Sequence, residues 1–322
     1  MAERPALSIV IPLYREEAVL PELARRTLAA LEALGRSYEL ILVDDGSDDA
    51  TPELLMDLAR RDPRVRVIRL SRNFGLQPAV AAGLAHARGE IIGLMDGDLQ
   101  DPPELLGQML EALEQGHDVV YMIKRRRAES LVRRAGFHLF YWLFALLAST
   151  PLPPTAGLFS LMRRRVVQAM LSCPERQKFI PGLRTWVGFA QAGLEFDREA
   201  RQIGAPRQTM GRLVRLALDA LYSFTDIPLK IALLLGLGAS LLSFIAIVVV
   251  SGLRIFTDLA IPGWASTLVA IFFMGGVQLI CVGVLGEYIS RIYDEVRRRP
   301  AFIAEEVTPR APEEEPPGPA TP

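Results

Sequence analysis

Cysteine and histidine are scarce in this chain, with two cysteines and three histidines among 322 residues. Two thiols, Cys173 and Cys281, cannot make a disulfide framework. His86, His117 and His138 are scattered and are assigned no role. An excess of charge of either sign is missing too, with 36 Lys and Arg against 37 Asp and Glu. A formal net charge of −1 supplies no basic field, so nucleic acid is not expected as a partner. No Gly-x-Gly-x-x-Gly and no Gly-Lys-Ser/Thr loop follows an apolar run, which removes the phosphate cradles of dinucleotide-binding and P-loop proteins. The opening "MAERPALSIVIPLYREE" has an apolar run too short, and too soon interrupted, for a secretory signal.

Apolar sequence is abundant, at 50% of residues, and unevenly spread. Ile231–Leu253 and Leu259–Gly286 carry no charge, the second broken early by Pro262-Gly263. Each is long enough to cross a hydrocarbon layer of about 30 Å as a helix. Arg207, Arg212, Arg215 and Lys230 precede the first, and Arg291, Arg297, Arg298 and Arg299 follow the second. The connector holds only Arg254, beside Asp258. The basic flanks place both ends of this hairpin, and the whole N-terminal domain, in the cytoplasm, where thiols stay reduced. The expected organisation is a cytoplasmic domain over 1–225 and two transmembrane helices at about 229–251 and 265–287, within 226–290. Residues 291–322 then form a basic segment and a disordered acidic, proline-rich tail beginning at "EEVTPRAPEEE". This predicts a multi-pass protein of the cytoplasmic (inner) membrane with both termini cytoplasmic.

The N-terminal domain alternates between two periodicities. Short β-rich runs fall at Leu7–Pro12, Leu40–Val43, Val65–Leu70, Ile91–Met95 and Val119–Tyr121. Amphipathic helical patterns lie between them at Glu17–Leu34, Pro52–Arg61, Pro78–Arg88 and Pro103–Glu114. Such alternation predicts an α/β fold, a mostly parallel sheet with helices on both faces. Each of the first four strands runs into a polar cluster: "PLYRE", Asp44-Asp45-Gly46-Ser47, "SRNFG" and Asp96-Gly97-Asp98. The carboxyl edge of an open α/β sheet is where ligands bind, so four clusters there predict a site.

Asp96 and Asp98, with Gln100 continuing the spacing, put oxygen ligands on one side of an extended segment. Two carboxylates and a carbonyl suit Mg²⁺ or Mn²⁺, completed by water and substrate phosphate. A nucleotide would then be held by Asp44, Asp45 and the "PLYRE" loop. "GFHLFYWLFALLAS" is apolar but too short to span, which predicts an interfacial helix near 131–148. A second is predicted near 210–224, where Arg212, Arg215 and Asp219 share a face. The basic run Lys124-Arg125-Arg126-Arg127 suits a phosphate or anionic lipid.

"SIVIPLYREE", "LILVDDGSDDAT", "LSRNFGLQPAVAAGLAHARGEIIGLMDGDLQDPPELL", "WVGFAQ" and "LGEYISRIYDEVRRRP" together resemble the polyprenyl-phosphate glycosyltransferases of glycosyltransferase family 2, relatives of dolichol-phosphate mannose synthase and its bacterial undecaprenyl-phosphate counterparts. The resemblance implies a GT-A fold, a UDP- or GDP-sugar donor, a polyprenyl phosphate acceptor and a metal at Asp96, Asp98 and Gln100. It implies that Asp96 and Asp98 are catalytic and that Pro12, Tyr14, Glu16 and Asp44 line the nucleotide pocket, with Asp45, Asn73 and Asp96 beside them. Lys124, Arg127 and Arg207 match phosphate-contacting positions. The hairpin matches the bacterial branch and leaves packing surface for a homo-oligomer.

The acceptor half departs from the pattern. Where the family reads Asp-Ala-Gly-Asp-Phe-Arg-Leu-Met, this chain has "TAGLFSLM", so Thr155, Leu158 and Ser160 differ. Pro181 stands for an arginine, Arg15 for an asparagine and Met122 for a glycine. A sugar hydroxyl would need a general base to attack. A phosphate monoester, with a second pKa of about 6, is already mostly a dianion at neutral pH. Loss of the acid at Leu158 therefore argues against a hydroxyl acceptor more than against a lipid phosphate. The alternative is a catalytically weakened protein that binds nucleotide-sugar and partners lipid-linked sugar machinery. A processive polysaccharide synthase needs Gln-x-x-Arg-Trp, which "LRTWVG" does not supply.

Overall fold

The computed structural model describes residues 4–125, 156–175, 178–197, 227–256 and 263–308. The described residues fall into two compact units, one holding residues 4–197 and 300–308 and the other the two long C-terminal helices. In the first unit the strands are β1 (Leu7–Leu13), β2 (Tyr38–Asp44), β3 (Val65–Leu70), β4 (Ile91–Leu94), β5 (Val119–Arg125), β6 (Ala156–Arg163), β7 (Gln191–Asp197) and β8 (Ala304–Val307). Its helices are α1 (Leu20–Ala33), α2 (Thr51–Arg61), α3 (Leu76–His86), α4 (Leu106–Glu114), α5 (Arg164–Ser172) and α6 (Ile180–Trp186).

All eight strands form one sheet in the order β7-β5-β6-β4-β1-β2-β3-β8. β4, β1, β2 and β3 are mutually parallel neighbours, as the alternation predicts. β6 enters antiparallel between β4 and β5, with Leu94 opposite Ser160 and Tyr121 opposite the same serine. Thus β5, although next after β4 in the chain, is separated from it in the sheet. This is the mixed, mostly parallel sheet with helices that the GT-A expectation describes.

Two apolar layers hold it. Ile9, Ile11, Leu40 and Leu42 pack with Leu20 and Leu31 of α1, Leu55 of α2 and Met109 and Leu113 of α4. The alternate residues Val10, Ile41 and Val43 pack with Val80 and Leu84 of α3, Val166 and Met170 of α5, and Leu183 of α6. Period-two alternation sends successive residues of β1 and β2 into opposite layers. Since both faces are covered, the middles of β1 (Ile9 to Ile11) and β2 (Leu40 to Val43) read as unbroken apolar runs. Burying each such Leu or Ile contributes about 1.5–3 kcal/mol.

Edge strand β8 departs from the sequence expectation. Glu305, Glu306 and Val307, which composition assigns to a disordered tail, pair antiparallel with β3, Arg69 opposite Glu306 and Ile68 opposite Val307. Ser71 N donates to the Ile303 carbonyl at 3.0 Å and Thr308 N to the Val67 carbonyl at 2.9 Å. Long-range backbone bonds that satisfy the open side of β3 outweigh the poor strand propensity of the two glutamates. The rest of the tail, from 309, lies outside the described residues, as do both expected interfacial helices.

The second unit contains α7 (Ile227–Phe256) and α8 (Trp264–Val296). They touch where Cys281 Sγ lies 3.4 Å from the Ala232 carbonyl and Ser243 Oγ lies 3.9 Å from Met274 Sδ. Among the described residues one stretch, Phe273–Val296, is long and apolar enough to cross a membrane. Leu233, Leu234, Leu279 and Ile280 are exposed.

Candidate functional site at the carboxyl edge of the sheet

The two edges of the central strands treat charge differently. At the amino edge the Glu39 carboxylate is fully engaged. It accepts from Ser8 Oγ at 2.6 Å, Arg88 N at 2.6 Å and Arg66 Nη1 at 3.0 Å. At the carboxyl edge Asp44 is completely buried. Its Oδ1 accepts from Ser47 N at 3.0 Å, while Oδ2 has no hydrogen-bond partner among the described residues and its ion-pair partner, Arg69 Nε, lies 3.6 Å away. Burial raises the Asp44 carboxyl above the usual aspartate range, against the opposing pull of Ser47 and Arg69. A buried carboxylate oxygen without a donor is costly, and a ligand N–H would relieve it.

Loops from β1, β2 and β3 are stitched together around Asp44. Asp45 N donates to the Leu13 carbonyl at 2.9 Å. Arg15 N donates to Ser47 Oγ at 3.0 Å, and Glu16 N to Thr51 Oγ1 at 3.0 Å. Both Asp45 oxygens are engaged by backbone, accepting from Phe74 N at 2.7 Å and Gly75 N at 2.9 Å. These bonds pull its carboxyl down, but burial outweighs them and leaves it raised. Asp45 therefore clamps the "SRNFG" loop rather than offering free oxygens to a base. Gly46, at φ +68°, makes the close approach possible, because a Cβ there would meet the Arg72 carbonyl carbon at 2.4 Å. Pro12 is buried in β1, Tyr14 and Glu16 are half-buried, and Asn73 is exposed on the clamped loop.

The Asp96-Gly97-Asp98 segment follows β4 directly, with Met95 N donating to the Val10 carbonyl at 3.1 Å. The expectation of an extended segment with alternate side chains is corrected here. Gly97 and Asp98 form a turn, Leu99 has φ +59°, and Asp98 Oδ1 accepts from Gln100 N at 3.2 Å. A carboxylate that caps the next backbone N–H bends the chain out of the strand path. Gly97 seats the turn on the end of β1, since a Cβ there would lie 2.5 Å from Leu13 Cδ2 and 3.0 Å from the Pro12 carbonyl. Asp96 and Asp98 are half-buried, and Asp96 N donates to Asp101 Oδ2 at 3.2 Å.

The donor set fits a hard divalent cation. Gln100 is buried and its Oε1 has no hydrogen-bond partner among the described residues, an oxygen left for a donor or a cation. No group of three or more His, Cys, Asp or Glu side chains converges among the described residues. Magnesium sites of the substrate-assisted kind use one or two carboxylates and draw their remaining oxygens from phosphate and water.

On the far side of β4 the site changes character. Leu158 of β6 is buried against the α3, α5 and α6 layer, and Ser160 Oγ donates to the Leu158 carbonyl at 2.8 Å. Lys124 belongs to β5, opposite Phe196, while Arg127 and Arg207 lie outside the described residues. Sequence reasoning missed Arg184 of α6, which is 1% exposed. Its Nη1 donates to the Gly157 carbonyl at 3.2 Å, its Cζ lies 4.8 Å from the Tyr121 ring centroid, and Nε and Nη2 have no hydrogen-bond partner among the described residues. Burial pushes its pKa down to about 10. The available signal was an arginine directly after Leu183 in a short apolar helix.

A family model described as glycosyl transferase family 2 matches residues 8–171. An uncharacterized glycosyltransferase of Synechocystis sp. is 40% identical over 304 residues, covering 94% of this chain and 95% of its own. The undecaprenyl-phosphate 4-deoxy-4-formamido-L-arabinose transferase of Pseudomonas aeruginosa is 39% identical over 314 residues, covering 95% of this chain and 91% of its own. The solved glucosyl-3-phosphoglycerate synthase from Mycobacterium tuberculosis, in complex with Mn²⁺, UDP-glucose and phosphoglyceric acid, gives a TM-score of 0.47 at 20% identity, over 69% of this chain and 80% of that one.

Proposed function

Because the chain belongs to glycosyltransferase family 2, we propose that it transfers a sugar from a UDP- or GDP-sugar to polyprenyl phosphate, with inversion, at the cytoplasmic membrane face. One observation carries the reading: buried Asp44 with its unpartnered oxygen, the Asp96–Asp98 turn and the orphaned Gln100 carbonyl all stand at one sheet edge. The relatives with undecaprenyl phosphate in their names align over nearly their whole length, which supports that acceptor class. The C-terminal helices would anchor the protein as two spans, with residues 1–225 and 291–322 cytoplasmic.

Asp44 Oδ2 accepts an N–H of the nucleobase, with the ring held between the "PLYRE" and "SRNFG" loops. Asp96 and Asp98, joined by Gln100, hold Mg²⁺ or Mn²⁺. When bound, that ion stabilises charge on the departing nucleoside diphosphate. The acceptor phosphate attacks the anomeric carbon from the opposite side, forming one carbon–oxygen bond as the bond to the diphosphate breaks. No base is required at Leu158, because the attacking oxygen already carries charge. The protein's contribution is alignment, which supplies much of the rate in such displacements.

The test combines full-length protein in detergent, undecaprenyl phosphate, Mn²⁺ or Mg²⁺ and a panel of UDP- and GDP-sugars. An EDTA-sensitive new lipid mass in the mass spectrum is expected. A second reading, carried by apolar Leu158, is a donor-binding protein without transfer. Calorimetric donor binding with no lipid product from any sugar would establish it and overturn the first.

A further inference from the structure

Arg184 has the largest side chain among the fully buried ones, and it is charged. Three other buried charges have ionic or multiple hydrogen-bonding partners: Glu39 has Arg66, Asp118 has Arg165, and Asp45 has two backbone N–H groups. Arg184 has one carbonyl and one aromatic face, with no carboxylate among the described residues. A guanidinium hidden from water with donors unmet is strongly disfavoured unless an anion completes it. Leu158 and Ser160, the inward residues of β6 nearest Gly157, bring none.

Its location says which anion. β6 runs antiparallel to β4, with Ser160 opposite Leu94. Stepping back from Ser160 to Gly157 therefore passes the end of β4 and reaches the edge where Asp96 and Asp98 stand. Along the order β5-β6-β4-β1-β2, the nucleotide-side residues occupy β4, β1 and β2, and Arg184 reaches Gly157 of β6 and Tyr121 of β5. An attacking group opposite the leaving diphosphate comes in from the β6 side. The half-buried Tyr121 ring is the cover that it would displace. We infer that Arg184 binds the phosphate of the acceptor, contacting its oxygens through the Nε and Nη2 donors that the described residues leave unpartnered. Guanidinium–phosphate pairing through two parallel N–H groups is strong and directional. The inference rests on the proposed transfer to a polyprenyl phosphate.

Two probes separate the sources of phosphate: geranyl phosphate, a short acceptor analogue, and UDP with Mn²⁺. Calorimetry on the full chain in detergent should show binding of geranyl phosphate but not of geraniol. Arg184→Met should weaken geranyl phosphate by about tenfold or more, and leave UDP affinity within about twofold. Arg184→Lys should recover part of the loss. Without ligand the methionine variant should melt no lower than the wild type, since it removes an uncompensated buried charge. A structural role predicts the reverse, a lower Tm with unchanged geranyl phosphate affinity, and overturns the inference. Equal loss of UDP assigns Arg184 to the donor diphosphate and also overturns it. Should Arg184→Met not fold, the lysine variant decides by the same two affinities. A lipid product from wild type with an unchanged acceptor KM in the variant defeats the site alone. Phosphate binding through Arg184 with no product defeats the transfer reading alone.

Discussion

On the side of the sheet edge that holds β4, β1, β2 and β3, the loops after β1, β2 and β3 are tied to one another by backbone N–H bonds to hydroxyls and to a carboxylate, with Gly46 at the closest approach. On the β6 side a guanidinium sits against an aromatic ring, with one acceptor, the Gly157 carbonyl, among the described residues. The first region is preassembled and acidic, so its geometry is set before any substrate arrives. The second is unfinished in its electrostatics. On the proposed transfer, the chemistry belongs to the rigid side and the choice of acceptor to the side that a ligand must complete.

The sharpest way to break that contrast is Asp98→Ala. Transfer should fall by about 100-fold or more, while the circular dichroism melt drops only slightly, through loss of the Asp98 bond to Gln100 N. Activity close to wild type would remove the acidic side from the chemistry. Gly97→Ala comes next. The added methyl meets Leu13 and the Pro12 carbonyl, so the turn must lift from β1 at a cost of about 1–3 kcal/mol. Urea denaturation should show that loss, and turnover should fall further than the stability change explains.

A smaller effect concerns the charge of Asp44. Its folded pKa is raised by burial, so between the ordinary aspartate value and the raised one the folded state holds more protons than the unfolded. Stability from this group is therefore present at acid pH and lost as pH rises through the folded pKa. Asp44→Asn should raise Tm at neutral pH, with the advantage shrinking on acidification toward the ordinary aspartate range. Donor affinity should drop in the same variant. An advantage that does not change with pH would sink the argument. Smallest is Arg15→Asn. Arg15 has φ +54°, a conformation that asparagine tolerates better than most residues, and its ion pair with Asp48 is exposed. Tm should be equal or slightly higher and the donor KM unchanged. A marked loss would show that the Arg15–Asp48 pair matters to the loop.

The preassembled side was the legible one. Four strands ending in polar clusters could be read because each strand is rich in β-branched and apolar residues and each cluster follows it closely in the chain. The β6 side was not, because its parts meet only in space. β6 inserts antiparallel between β4 and β5, and nothing local in "AGLFSLMR" signals that partner. Arg184 looks like a surface residue in a seven-residue helix until tertiary packing buries it. Even on the acidic side the spacing of Asp96 and Asp98 suggested an extended segment, whereas the Asp98 cap makes a turn. Local side-chain bonding overrode strand periodicity there.

The returning strand β8 has a consequence for how the molecule is made. Residues 304–307 are synthesised long after β3, yet they close its open side. At about 5–20 residues per second, translation separates the two by roughly 10–50 s. Throughout that interval both C-terminal helices emerge while the nascent sheet still presents an unpaired border. The last strand to leave the ribosome is thus the one that seals the first domain, and a chaperone has that long to guard the gap.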